Sequence, residues 1–222
     1  MTELALKRIA ENKKNRANSL DLTKCALTEL PEEIGELVWL ETLFISDTQI
    51  ADLSPLANLT NLQEILAAST PITDLSPLAE LTNLELLFIS KTQVADLSPL
   101  AQLTKLQQLD AWKTQVADLH PLARLTNLHR LLLSSTQITD LSPLAALIRL
   151  RILHVANTKV ADLSSLAGMV DLQQLDISYT QVADLTPLMP IIQQGIPVRW
   201  HARFWEGQGI YIENCPYALQ TR

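Results

Sequence analysis

One phrase, Thr-x-x-x-Asp-Leu-Ser-Pro-Leu, recurs through this chain at a fixed interval and limits what the chain can fold into. Threonine stands at Thr48, Thr70, Thr92, Thr114, Thr136, Thr158 and Thr180, each 22 residues after the last. Four residues on comes an aspartate: Asp52, Asp74, Asp96, Asp118, Asp140, Asp162 and Asp184. A leucine follows each, and Leu56, Leu78, Leu100, Leu122, Leu144, Leu166 and Leu188 close the phrase. A period of this length predicts a solenoid, in which each unit buries its apolar side against its neighbours. The expected class is α/β: a right-handed coil of about eight strands, with a parallel sheet on the concave face and short helical turns on the convex one.

Within a unit, Leu62, Ile65 and Ala67 alternate with Glu64, Leu66 and Ala68. That is period two, the signature of a short strand with one face inward. The threonine falls at the corner after each strand, where its hydroxyl can bond backbone groups; packing of its methyl alone is the competing role. Ser-Pro then reads as an N-cap followed by the first helical position. So few residues remain before Leu59 that a short helix or 3₁₀ turn is expected. The aspartates are expected to bond backbone donors of that turn.

The two ends depart from the period. Residues 2–16 form an expected amphipathic helix, with Leu4, Leu6, Ile9 and Ala10 apolar and Thr2 as N-cap. Its task is to cover the open end of the first unit, in which Cys25 stands in the threonine place. After Leu188 the repeat stops, and Trp200, Phe204, Trp205, Tyr211 and Tyr217 crowd the tail. Ile196–Trp200 and Ile210–Ile212 offer strands for a closing cap that these aromatics seal. The division is therefore 1–18 as capping helix, 19–188 as repeats and 189–222 as C-terminal cap.

Composition sets further bounds. The net charge of −7 argues against nucleic-acid or anionic-membrane partners. Cys25 and Cys215 lie at opposite ends of an elongated molecule, too far apart to bridge, so a reducing compartment is expected. The N-terminus lacks the pattern of a signal peptide, and no segment is apolar enough to span a bilayer. A soluble, cytoplasmic protein is the expectation.

The pattern Leu84-x-x-Leu87-x-Ile89-x-x-Thr92-x-Val94 resembles the leucine-rich repeat. The 22-residue Asp-Leu-Ser-Pro-Leu form is similar to the repeats of bacterial internalins. The tail, Gly195-Ile-Pro-Val198-Arg-Trp200 with Ile210-Tyr-Ile-Glu-Asn-Cys215-Pro216, is similar to the junction in bacterial Roco proteins, where such repeats lead into a Ras-like GTPase. That resemblance implies a recognition arm for a GTPase, yet no Gly-x-x-x-x-Gly-Lys-Ser/Thr phosphate loop occurs in the chain. Two origins fit: a piece of a larger protein, or a protein that kept the repeats alone.

Motifs for chemistry are missing. The aspartate column lacks the glycine-rich loops with which calcium repeats wrap their ion. His120, His129, His154 and His201 fall in separate units at no ligand spacing. No enzyme, metal or cofactor is expected. The informative positions are the outward ones on the strands. Phe44, Leu66, Leu86, Phe88, Trp112 and Leu132 are expected to form a stripe on the concave face, rimmed by Lys91, Lys113 and Arg130. An apolar centre with a charged rim describes a protein-binding surface. Self-association of the rods through the same stripe is the alternative role.

Overall fold

A computed structural model describes residues 2–23, 25–200 and 207–217. The predicted period becomes a stack of strands: β1 (Ser19–Asp21), β2 (Thr42–Phe44), β3 (Glu64–Leu66), β4 (Leu86–Phe88), β5 (Gln108–Asp110), β6 (Arg130–Leu132), β7 (Ile152–His154) and β8 (Gln174–Asp176). Neighbours pair in parallel and in register, so Leu43, Ile65, Leu87, Leu109, Leu131, Leu153 and Leu175 form one column. That whole column is 0% exposed. Each such side chain contributes about 1.5–3 kcal/mol through burial, and the sum over columns is what the strands, three residues each, cannot supply locally.

Each corner is built from two adjacent residues. The first (Asp47, Ser69, Lys91, Lys113, Ser135, Asn157, Tyr179) has φ between 55° and 59°. This left-handed residue donates its amide to the next unit, as Lys91 does to the Trp112 carbonyl at 2.8 Å, extending the ladder past the strand. The threonine that follows is buried, and its hydroxyl donates to the carbonyl three residues back, from Thr48 to Ile45 at 2.8 Å through Thr180 to Ile177 at 2.6 Å. The hydroxyl therefore closes its own turn, while the next amide crosses between units, as from Gln115 to the Val94 carbonyl.

The convex side carries single 3₁₀ turns, Ser54–Leu56 through Thr186–Leu188, which differ from the expected capping. Ser54 is the first turn residue and not its cap. The Asp52 carboxylate accepts both its amide, at 2.8 Å, and its hydroxyl, at 2.6 Å. An aspartate two residues upstream reaches that amide more directly than the serine reaches forward. The amide bond repeats at Asp74, Asp96, Asp118, Asp140, Asp162 and Asp184. Hydroxyl and then amide hold the Asp52 carboxyl below the usual carboxylate range. The same pair acts on Asp140 and Asp162.

The N-terminal helix, α1 (Thr2–Asn15), turns a different face inward from the one its leucines indicate. Ala5, Ile9 and Asn12 are buried, while Leu4 and Leu6 are exposed. Spacings of four and three put 5, 9 and 12 on one stripe, with positions 4 and 6 to either side. The reason for a buried asparagine is the sheet edge. Asn12 Nδ2 donates to the Ala17 and Ser19 carbonyls at 3.0 and 2.8 Å, and its Oδ1 accepts from Trp39 Nε1 at 3.0 Å. Arg8 donates to the Asp21 carbonyl, so two edge acceptors of β1 are occupied.

At the other end the sheet gains β9 (Val198–Arg199) and β10 (Gly209–Tyr211), making ten strands among the described residues. Their order is inverted: β10 pairs with β8, and β9 lies outermost, all parallel. A short helix, α2 (Met189–Gln193), follows the last 3₁₀ turn directly. Tyr211 is buried, and Trp200 and Tyr217 pack against the core. Phe204 and Trp205 lie outside the described residues. Cys25 and Cys215 are buried as free thiols at the two ends of the stack. No helix among the described residues is long and apolar enough to cross a membrane.

Candidate functional site

Outward strand positions form three columns on the concave face. In the central one, Phe44, Leu66 and Phe88 stand in direct register. All three are half-buried and none joins the hydrophobic core. Leu86 lies beside them at the start of β4, also half-buried. One unit further, Trp112 is the most open of the group at 36% exposure. The backbone fixes its direction, since its amide donates to Asp110 Oδ1 at 3.0 Å. Lys91 lies over the indole, 5.1 Å from the ring centroid, and shields one face of it.

Leu132 departs from the expected stripe. It is 5% exposed, flanked in register by Asp110 and by His154, which is 2% exposed. Side chains of adjacent units converge on the inside of a curve, and at this point no leucine surface is left to offer. The open apolar stripe therefore runs from β2 to the Trp112 corner and stops there. Beyond it the central column is closed: Leu132, His154 and Asp176 are all buried. Burial raises the Asp110 carboxyl, with the Trp112 amide and the Arg130 charge opposing. Burial lowers the His154 imidazole to about 4, and Arg130 adds to this. Asp176 is raised by burial as well.

The expected rim is only partly a rim. Lys91 and Lys113 are exposed left-handed corner residues, at the downstream edge of the strands. Arg130 instead lies on the sheet, in the first outward column between Gln108 and Ile152, and is half-buried.

Sequence reasoning missed a second feature, a polar groove of about 580 Å³ along the upstream edge of the strands, lined by Glu85, Lys105, Gln107, Asn127, His129, Arg149, Arg151 and Asp171. Its residues precede the strands by one to three positions and were not counted as outward-facing. The signal was present: cations replace a recurrent asparagine or glutamine there. Among the described residues no group of three or more His, Cys, Asp or Glu comes together to hold a metal ion.

Comparison with known proteins bears on the repeat itself. The family model for leucine-rich repeats in two copies matches residues 38–80, 60–102 and 126–168. The structure of internalin C2 from Listeria monocytogenes is similar at 35% identity and a TM-score of 0.77, covering 78% of this chain and 76% of that one. An internalin F from the same organism is 36% identical with a TM-score of 0.70, over 73% of this chain and 48% of its own. A leucine-rich repeat protein of Leptospira interrogans shares the fold, with a TM-score of 0.77 at 20% identity, over 88% of this chain and 48% of its own. The chain thus spans about half the length of the last two. No protein of curated function matches significantly. These matches carry the repeat and internalin parts of the sequence resemblance and lend no support to the Roco part.

Proposed function

This chain is a leucine-rich repeat protein of the internalin type, a class of domain that typically binds proteins and is generally non-catalytic, and on that premise we propose that the upstream half of its concave sheet is a protein-binding face. Phe44, Leu66, Leu86, Phe88 and Trp112 are its anchors. The observation that carries this is the in-register row Phe44, Leu66 and Phe88, placed on the side of the sheet opposite the leucine core. Such side chains add nothing to the core and leave apolar surface in water. On a rigid sheet, aromatic anchors lose little conformational entropy on docking, so a few can carry most of the affinity.

Lys91 and Lys113 border Trp112 and steer an acidic partner more than they hold it. A photo-crosslinking residue at Phe88, compared with one at the convex Gln102, tests the face in a native lysate. Discrete adducts from position 88 and none from 102 are expected. Adducts from 102 alone place the binding surface on the convex side. Adducts of the chain with itself identify the stripe as a self-association surface instead.

A further inference from the structure

The upstream groove has the features of a built site for anions. In the repeat, the place three residues before the strand belongs to asparagine: Asn61, Asn83 and Asn127 each donate to a carbonyl of the preceding unit, Val38, Thr60 and Thr104, at 2.7–2.8 Å. Lys105 and Arg149 interrupt this ladder. Each is held by the asparagine before it, Lys105 Nζ on Asn83 Oδ1 at 2.7 Å and Arg149 on Asn127 Oδ1 at 3.2 Å. A neutral carboxamide orients the cation without cancelling its charge. Beside them, Arg151 and His129 take places that hold Gln63 and Gln107 in other units.

Ion pairs among the described residues join Arg8 to Asp21, Lys13 to Glu36 and His120 to Asp118. Lys105, Arg149 and Arg151 take part in none of them. Three cations within a few units of an acidic protein, none neutralised and two of them oriented by asparagines, repel one another at a cost to the fold. The groove's two ends are acidic: Glu85, which accepts from Gln107 at 2.7 Å, and Asp171. A long polyanion running along the groove would meet a carboxylate at each end. A short acidic cluster would not, since Lys105 and Arg149 are two units apart, about 10 Å. An extended peptide rises about 3.3 Å per residue, so two or three carboxylates on alternate residues span about 7 to 13 Å and bracket that distance.

We infer that this groove binds a short acidic segment of a protein partner, its carboxylates paired with Lys105, Arg149 and Arg151. The guanidinium forks suit carboxylates in a bidentate manner. The inference rests on the sheet being a protein-binding face, but it is tested without the apolar stripe. The probe is a heptapeptide of alternating glycine and glutamate, titrated into isotope-labelled full chain at low salt and followed by NMR. The controls are the glutamine version of the peptide and an oligothymidylate of equal charge.

Lys105→Asn, Arg149→Asn and Arg151→Gln together restore the residues usual at these places, so the triple variant is expected to melt no lower than the parent. Expected results are shifts centred on the groove, affinity about tenfold weaker in the triple variant, equivalent to about 1.4 kcal/mol, and no response to the glutamine peptide. Phe88→Ala with Trp112→Ala should leave this titration unchanged, so failure of the stripe is read separately. No shifts up to on the order of 10 mM peptide, equal binding by the triple variant, or tighter binding of the oligothymidylate would each overturn the assignment.

Discussion

At each corner a left-handed residue precedes a buried threonine, and the two divide the backbone bonding between them. The left-handed residue passes the ladder to the next unit, and the threonine hydroxyl closes its own turn. The threonine column was legible because it repeats. Its bonding partner was not, since a period fixes where a side chain lies and leaves its acceptor open. The left-handed places were illegible for another reason: Asp, Ser, Lys, Asn and Tyr occupy them and glycine never does. Because Thr114 Oγ1 donates to the buried Ala111 carbonyl at 2.7 Å, Thr114→Val should cost about 1–3 kcal/mol in denaturant titration. An unchanged midpoint would give the column to its methyl groups. Asp176 offers a test of opposite sign. Burial raises its carboxyl, so the folded state holds the proton more tightly than the unfolded chain does, and stability falls as pH climbs through the raised value. Asp176→Asn keeps an acceptor for the Ser178 amide and removes the charge. It should melt higher than the parent near pH 7, and the gap should close below about pH 4.

At the scale of elements, the repeats were predictable, and so were the terminal helix and the two cap strands, but not how these end elements dock. Strand and 3₁₀ turn follow from alternation and from Ser-Pro, whose meaning is the same in every unit. The helix α1 has only one copy, and its two leucines indicated a face that the structure leaves in solvent. What selects the true face is a polar demand, the unpaired carbonyls of β1, which hydrophobic periodicity does not register. Asn12→Ala leaves the Ser19 carbonyl and the Trp39 indole without this partner. The expected loss is about 1–3 kcal/mol, with faster hydrogen exchange at β1 and β2 than at β5. Uniform exchange along the stack would show that α1 is not what secures the edge. The inverted order of β9 and β10 could not be read from the chain either. Each is two or three residues long, and the choice of neighbour is made by the end of the stack they join.

For the molecule as a whole, the stack turns one-dimensional information into a surface. Phe44, Leu66 and Phe88 are 22 residues apart in sequence and adjacent in the sheet. This much was legible, because the alternation assigns them outward once the leucine column is assigned inward. Leu132 obeys the same alternation and is still closed off, since curvature and the neighbours Asp110 and His154 decide exposure. The polar groove escaped for a related reason: its residues lie outside the strands, and only stacking brings Lys105 and Arg149 to one edge. The central claim, that the apolar stripe binds a protein, is tested most directly by the double variant Phe88→Ala and Trp112→Ala. Two quantities are measured on it, its melting temperature and its capture of the protein retained by the parent chain. Both side chains lie outside the core, so the account predicts a melting temperature within a few degrees of the parent and complete loss of capture. Undiminished capture by a folded double variant would contradict it.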